Sequence, residues 1–424
     1  MGALFLIISL LVLIALSVPV AIALALSSMF YLVFIENAPI LVAIQRIVVA
    51  ADSFTLLALP LFIISGNIMT QGGLSKRLIS FVDDLIGWVT GGLAIVTTVA
   101  CLFFSAISGS VTATTAAIGS IMIPGMQDKG YDRDFGAAVT ATSGILGAVT
   151  PPSLMMISYG TITGVSIGGL FLGGIIPGII CAIGLICVSY LICRKKGYVS
   201  ERKRPPFSKL FASFRSAIMA LFMPVIVLGG IYGGLFTPTE AAAVAVVYCY
   251  IVASLIYRDI SLKDIPRILL MSIRTSSNIM LLVCAASLFG WALAIGRIPD
   301  VVARAVLGIT ENPILVLLLV NLLLLLVGAF LESIASIVIM TPVLFPIITY
   351  LGVDPLHFGI IMTLNIAIGT VTPPFGVSLF VASGISGVPI EKIIKATLPY
   401  LASLLIVLLL TSYIPGIATL LPNL

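Results

Sequence analysis

Charge is scarce in this chain. Only 9% of its 424 residues are charged, against 60% hydrophobic. A soluble protein of this length has no use for so much apolar surface. Histidine is scarcer: His357 is the only one, which excludes a His-based metal cluster and a hydrolase-like triad. It sits beside Pro355 near a membrane edge, where an interfacial hydrogen-bonding role is expected, with a proton relay as the alternative. No Gly-x-x-x-x-Gly-Lys-Ser/Thr loop occurs, so ATP hydrolysis by that route is excluded. Cys101, Cys181, Cys187, Cys193, Cys249 and Cys284 have no metal-site spacing and read as small apolar residues in packed helices. The per-segment alternation of an outer-membrane barrel is absent. Met1–Leu16 lacks the basic start of a signal peptide and reads as a first membrane helix.

What is present is a series of long apolar runs. A transmembrane helix takes about 20 apolar residues, and this chain supplies many such stretches, Ile175–Cys193 and Ile393–Leu410 among them. The fold class expected is an all-α polytopic membrane protein. The most basic stretch, Arg194-Lys195-Lys196 with Arg202-Lys203-Arg204, Lys209 and Arg215, is placed in the cytoplasm by the positive-inside rule and reads as a linker between halves. The first half divides into Leu4–Leu16, Val18–Phe34, Phe54–Met69, a re-entrant hairpin over Gly92–Gly125, a broken span Phe135–Gly164 and Gly168–Cys193. The second runs Ile218–Leu235, Thr239–Tyr257, Ser276–Ile295, a hairpin over Pro313–Tyr350, a broken span Phe358–Ile385 and Ile394–Ile414. Hairpins do not cross, so each half crosses an odd number of times and the second is inverted. Both termini then lie outside. On this topology only Arg46, Arg297 and Arg304 among the basic residues are external. Leu74–Ile86 and Leu262–Leu270 mix charge with apolar residues and read as interfacial arm helices.

One short pattern occurs twice. Gly147-Ala148-Val149-Thr150-Pro151-Pro152 returns as Gly369-Thr370-Val371-Thr372-Pro373-Pro374, from residue 147 to residue 369, an offset of 222. Proline removes a backbone donor and pushes its predecessor out of the helical region. Lipid cannot satisfy the freed carbonyls, so such breaks survive only inside protein or along a cavity. Matched breaks in two halves point to a transporter's binding site. At the same offset Pro124 maps onto Pro346, Gly130 onto Gly352, Asp132 onto Asp354 and Ser110 onto Glu332.

The first hairpin, over Phe104–Ala116, is dense in small and hydroxyl residues. Any one of them can serve helix packing. Together, opposite a broken helix, hydroxyls and unwound carbonyls offer the oxygen ligands that hard cations prefer. The second hairpin carries Glu332 in an apolar context. A charge at the membrane centre costs about 3 kcal/mol or more, so such a residue suggests function, with a hydrogen-bonded structural role as the alternative. Glu240 follows Pro238 at a helix start and reads as structural.

The run Gly229-Gly230-Ile231-Tyr232-Gly233-Gly234-Leu235-Phe236-Thr237-Pro238-Thr239-Glu240-Ala241 resembles a hallmark of the large membrane subunit of TRAP (tripartite ATP-independent periplasmic) transporters. Ser108-Gly109-Ser110, Thr341-Pro342 and both Thr-Pro-Pro breaks fit the same family, and the resemblance covers essentially the whole chain. It implies an elevator-type fold of the ion-transporter superfamily, with two inverted repeats. It implies sodium-coupled import of an organic acid across the bacterial cytoplasmic (inner) membrane. The partners implied are a periplasmic substrate-binding protein and a small four-helix membrane subunit, which is expected to be a separate chain. Carried over by motif, one sodium site involves Ser105, Ser110, Gly147, Thr150 and Pro152. The other involves Gly328, Glu332, Gly369, Thr372 and Phe375, and the substrate lies between them near Ser108, Thr112 and Ser153.

The expected division is a first repeat over 1–193 (scaffold and arms 1–91, transport elements 92–193), a linker 194–215, and a second repeat over 216–424 (scaffold 216–312, transport elements 313–424). No cofactor, no enzymatic activity and no nucleic-acid partner are expected; sodium is the coupling ion and lipid the surroundings. The alternatives are a self-sufficient sodium–carboxylate symporter of the same fold, a membrane enzyme and a channel. The substrate stays open among C4-dicarboxylates, sialic acid and related acids.

Overall fold

The computed structural model of the chain describes residues 2–198, 204–298 and 312–423. Arg202, Lys203 and Arg304 therefore lie outside the described residues. Those described form helices and no strand, and nine of the helical segments are long and apolar enough to cross a membrane.

The first half runs α1 (Gly2–Ala15), α2 (Val20–Phe34), α3 (Ile40–Ala51), α4 (Ala58–Gln71), α5 (Leu74–Ile86), a hairpin of α6 (Gly92–Ser108) and α7 (Val111–Asp128), a broken helix of α8 (Arg133–Gly144), α9 (Leu146–Val149) and α10 (Leu154–Thr163), and α11 (Ile167–Lys196). The second runs α12 (Phe207–Tyr232), α13 (Pro238–Ile251), α14 (Ile265–Ile295), a hairpin of α15 (Pro313–Phe330) and α16 (Ser333–Tyr350), a broken helix of α17 (Pro355–Gly369) and α18 (Val377–Ser386), α19 (Ile390–Tyr413) and α20 (Gly416–Thr419). The sequence offset reappears in the elements. The first hairpin arms end at residues 108 and 330, the second arms span 111–128 and 333–350, and the broken helices start at 133 and 355, each 222 apart. Both Pro–Pro bonds, Pro151-Pro152 and Pro373-Pro374, are cis.

The two repeats are interleaved. The second hairpin arm of the first repeat, α7, packs on α18 of the second. Reciprocally, α16 of the second repeat packs on α10 of the first. Such an exchange is what a pseudo-two-fold relation between the repeats produces. A second group, α2, α3, α4, α13 and α14, packs on itself, and meets the hairpins where α4 rests on α6 and α14 on α16.

Several details differ from the sequence reading. α3 was not anticipated. It presents Ile40, Leu41, Ile44 and Val48 outward, and Arg46 stacks over the Trp291 ring of α14 at 5.3 Å. Leu262–Leu270 is not a separate arm. α14 is one 31-residue helix that accommodates Pro266 in its first turn and runs unbroken to Ile295, about 46 Å at 1.5 Å per residue. The linker is shorter than expected, because α11 continues to Lys196 and α12 begins at Phe207. His357 is buried within the protein and hydrogen-bonded, its Nε2 2.8 Å from the Thr411 carbonyl oxygen. Glu240 is structural as read: it forms a capping box with Thr237, whose N–H donates to Glu240 Oε2 at 2.8 Å.

Candidate functional site

Each hairpin turns back beside the break of its own repeat. In the first, Gly109 adopts a left-handed φ of 60° that closes the turn between α6 and α7. Its carbonyl accepts the Leu154 N–H at 3.0 Å, which ties the tip to the start of α10. A side chain there would meet the Pro152 carbonyl oxygen at 2.9 Å. Gly147 permits an even closer approach, since a Cβ would lie 2.4 Å from the Ser110 carbonyl oxygen. The Ser105 and Thr150 hydroxyls contact each other, and each also lies 2.6 Å from a carbonyl of its own helix, those of Leu102 and Leu146. The structure thus brings Ser105, Ser110, Gly147, Thr150 and Pro152 into one neighbourhood of hydroxyl and carbonyl oxygens.

The second hairpin differs in chemistry. Glu332 is the N-cap of α16, its Oε2 accepting the Ile334 and Ala335 N–H groups at 2.9 and 3.1 Å. Gly328 and Gly369 touch backbone to backbone, and a Cβ on Gly369 would lie 2.6 Å from the Gly328 Cα. The Phe375 ring packs on Phe330 at 5.3 Å between centroids. The Thr372 hydroxyl donates to the Ile368 carbonyl at 2.8 Å. Gly328, Gly369 and the Phe330–Phe375 pair are therefore gathered around the second tip. Glu332 turns Oε2 to the backbone N–H groups that open its own helix.

The two tips share a cavity of about 400 Å³, with Ser108, Ser110, Thr112 and Glu332 on its wall. Glu332 is exposed to this space, and it is the only ionisable side chain on the described wall. The Ser108 and Thr114 hydroxyls bond at 2.7 Å, and Ser110 and Thr112 lie 3.3 Å apart. Ser153 does not reach the cavity. It is fully buried and caps α10 through the Met156 N–H. Thr372 and Phe375 are likewise not on this wall.

The opposite wall comes from α4 and α14, with Asn67, Thr70 and Thr275, none of which the sequence reading singled out. Asn67 was the findable one, an amide inside an apolar helix; it donates to Ser272 of α14 at 2.9 Å. Gly66 of α4 faces the tip, its Cβ position in ordinary contact at 3.5 Å from the Ser108 Cα. The signal for Asn321 and Asn365 was the same. They bond at 2.8 Å between α15 and α17, and Asn321 also donates to Ser412 at 3.0 Å. Among the described residues no group of three or more His, Cys, Asp and Glu could hold a metal ion. What the site offers instead is hydroxyls, carbonyls and one carboxylate.

Comparison with known proteins gives concordant results. The chain matches the family model of the tripartite ATP-independent periplasmic transporter, DctM component, over residues 7–417. It is 44% identical to an isethionate TRAP transporter permease protein of Oleidesulfovibrio alaskensis, over 93% of this chain and 62% of that longer relative. It is 44% identical to a C4-dicarboxylate TRAP transporter large permease of Pseudomonas aeruginosa, over 88% of this chain and 87% of the relative. It is 39% identical to a sialic acid TRAP transporter large permease of Vibrio cholerae, over 93% and 92%. Among solved structures, the Alcanivorax borkumensis YdaH transporter superposes with a TM-score of 0.62 at 17% identity, covering 88% of this chain and 87% of that one, a likeness of fold.

Proposed function

The chain belongs to the DctM family of tripartite ATP-independent periplasmic transporters, and from that premise we propose that it is the sodium-coupled permease for an organic acid. It is a multi-pass protein of the bacterial inner membrane. The carrying observation is the shared cavity, where hydroxyls of one hairpin tip face the carboxylate of the other. Among the described residues the wall has no cationic side chain. An anionic substrate there draws its countercharge from bound cations, which is why sodium and acid travel together. The first ion is held by Ser105, Ser110, Gly147, Thr150 and Pro152, through hydroxyls and carbonyls. The second is held by Gly328, Glu332, Gly369, Thr372 and Phe375, with the Glu332 carboxylate as its one anionic ligand. The substrate contacts Ser108 and Thr112 beside them, and Ser153 acts only by capping α10.

The hairpins, the broken helices, α11, α19 and α20 form the moving body; the remaining helices form the scaffold. A second cavity of about 410 Å³ lies further along the same helix α14, at Val283, Ser287, Gly290 and Ala294, whereas the site cavity meets α14 at Thr275 and Ile279. The two lie about a dozen residues apart, roughly 18 Å along the helix. A hairpin body sliding by that distance would carry the site past α14 toward the other membrane face. The substrate class follows the named relatives: a C4-dicarboxylate, a sialic acid or a small sulfonate. A periplasmic binding protein delivers it, a small membrane subunit completes the scaffold, and no chemistry is performed on it.

The test is uptake into proteoliposomes holding the chain and its small subunit, with binding protein outside. Uptake should require an inward sodium gradient and should fall to background without the binding protein. Full uptake on a proton gradient in sodium-free buffer refutes the coupling. Equal uptake with and without binding protein makes the chain a self-sufficient symporter.

A further inference from the structure

The turn between α4 and α5 packs against the end of α13. There Gly73, at φ 67°, passes so close to Asp259 that a Cβ would lie 2.9 Å from its Oδ2. Asp259 pairs with Arg77 Nη2 at 2.7 Å, and the guanidinium lies over the Tyr257 ring, 4.1 Å from its centroid. Tyr257 in turn donates to the Ser216 carbonyl of α12 at 2.5 Å. These contacts frame a cavity of about 500 Å³, separate from the site described above and lined by Gln71, Lys76, Arg77, Ser80, Ser216 and Asp259.

Every side chain in that set is polar or charged. Lys76, Ser80, Gln71 and the Ser216 hydroxyl are engaged by no protein group among the described residues. Arg77 makes its ion pair through Nη2 alone, and its buried Nε has no acceptor. With Lys76 and Arg77 against Asp259, the wall carries one net positive charge. The next carboxylates along α5 are Asp83 and Asp84, and Lys209 meets Asp84 at 3.3 Å. Apolar side chains are exposed on the elements that carry Asp259 and Ser216. Leu255 and Ile256 are exposed on the π-helical extension of α13, and Phe214 is exposed on α12, against Phe81. By the distribution of basic residues the cavity lies at the cytoplasmic face, where anionic lipid headgroups and basic pockets meet.

We propose that this cavity binds a singly charged phosphate group, that of an anionic phospholipid of the inner leaflet or of a free phosphate. One negative charge neutralises the wall. The Lys76 ammonium, the spare guanidinium donors of Arg77 and the Ser80 and Ser216 hydroxyls supply hydrogen bonds to its oxygens. The exposed Leu255, Ile256 and Phe214 give acyl chains a surface to lie on. A lipid seated here would bridge α5, α12 and α13, elements assigned above to the scaffold.

The experiment is native mass spectrometry of the delipidated, purified chain with any co-purifying small subunit. Phosphatidylglycerol, phosphatidylcholine and inorganic phosphate are added separately. Retention of phosphatidylglycerol over phosphatidylcholine is expected. Lys76→Gln should lower it about fivefold, the effect of one basic residue at an anionic surface. Lys76→Arg should restore it, and Lys129→Gln, an exposed lysine outside the cavity, should leave it unchanged. Lys76 makes no contact that the fold depends on, and monodispersity of each variant checks this. If phosphate alone binds with the same Lys76 dependence, the source is free phosphate. If only the lipid does, the source is the membrane. Binding of either that is indifferent to Lys76, or equal retention of phosphatidylcholine, overturns the proposal.

Discussion

Replacing Glu332 by Gln separates an ion ligand from a helix cap. Oε2 already serves the N–H groups of Ile334 and Ala335. Gln has one acceptor oxygen and can keep that cap, but it then turns an amide NH2 toward the cavity where the second carboxylate oxygen stood. Full loss of an N-cap costs about 1 kcal/mol, so Gln should cost less than that in stability. The ion term is larger. Unit charges 4 Å apart at an effective dielectric of 20 attract by about 4 kcal/mol. Desolvation offsets part of this, leaving about 1.5–3 kcal/mol. That corresponds to a roughly 10- to 100-fold rise in the sodium concentration giving half-maximal uptake. The assay is sodium titration of uptake in proteoliposomes at saturating binding protein, on variants shown to be monodisperse. Glu332→Ala, run beside it, should show the same sodium shift and in addition lose thermal stability. If Glu332→Gln keeps the wild-type sodium response, the carboxylate only caps α16, and the second ion site is wrong.

Three further expectations follow from geometry. Gly369→Ala drives a methyl into the Gly328 backbone, which cannot yield, and should destabilise by about 1–3 kcal/mol; Gly384→Ala, with open space around it, serves as the control, and equal melting temperatures for the two would refute the contact. Gly290 and Pro342 stand with Cβ positions 3.3 Å apart across α14 and α16, close to disulfide range. Cysteines at both should crosslink and arrest uptake reversibly, whereas undiminished uptake at complete crosslinking would mean that α16 does not move on α14. The Asp132 carboxyl lies below its ordinary value of 3.8 because Lys196 hydrogen-bonds it. Its contribution is therefore complete above that ordinary value and lost as pH falls through the lowered one. The pair is half exposed, so Asp132→Asn should cost under about 1 kcal/mol at neutral pH, and a larger loss in thermal denaturation would contradict this account.

The parts of this architecture that were legible in the sequence were those carried by punctuation. Two Thr-Pro-Pro breaks and a constant offset located both hairpins and both broken helices, because proline leaves backbone groups that only protein can satisfy. What was illegible has equally physical reasons. The continuity of α14 was hidden because Arg267 and Arg274 look like a membrane boundary, although a helix of that length simply extends beyond the bilayer. Asn67 was missed because a lone uncharged amide inside an apolar run was not weighed, whereas a cluster of hydroxyls and a carboxylate were. Gly328 and Gly369 stood in the ligand set by resemblance, but their mutual backbone contact depends on how α15 crosses α17, which no local pattern encodes. Glu332 was read as a ligand with a structural alternative; the geometry shows its Oε2 capping α16 on the wall of the shared cavity.

The exchange of α7 with α18 and of α16 with α10 has a consequence for how the chain is made. When α7 leaves the ribosome, the helix it packs against is still about 250 residues from synthesis. At 5–20 residues per second, that is a wait of roughly 12–50 s. Throughout it, the face of α7 around Gly119, which meets Ile385 of α18, must sit in the bilayer without its final partner. The first half is thus inserted before it can be folded, and its assembly is set by the arrival of the last fifty residues. A chain cut in the linker between the halves would leave α7 without α18 and α16 without α10.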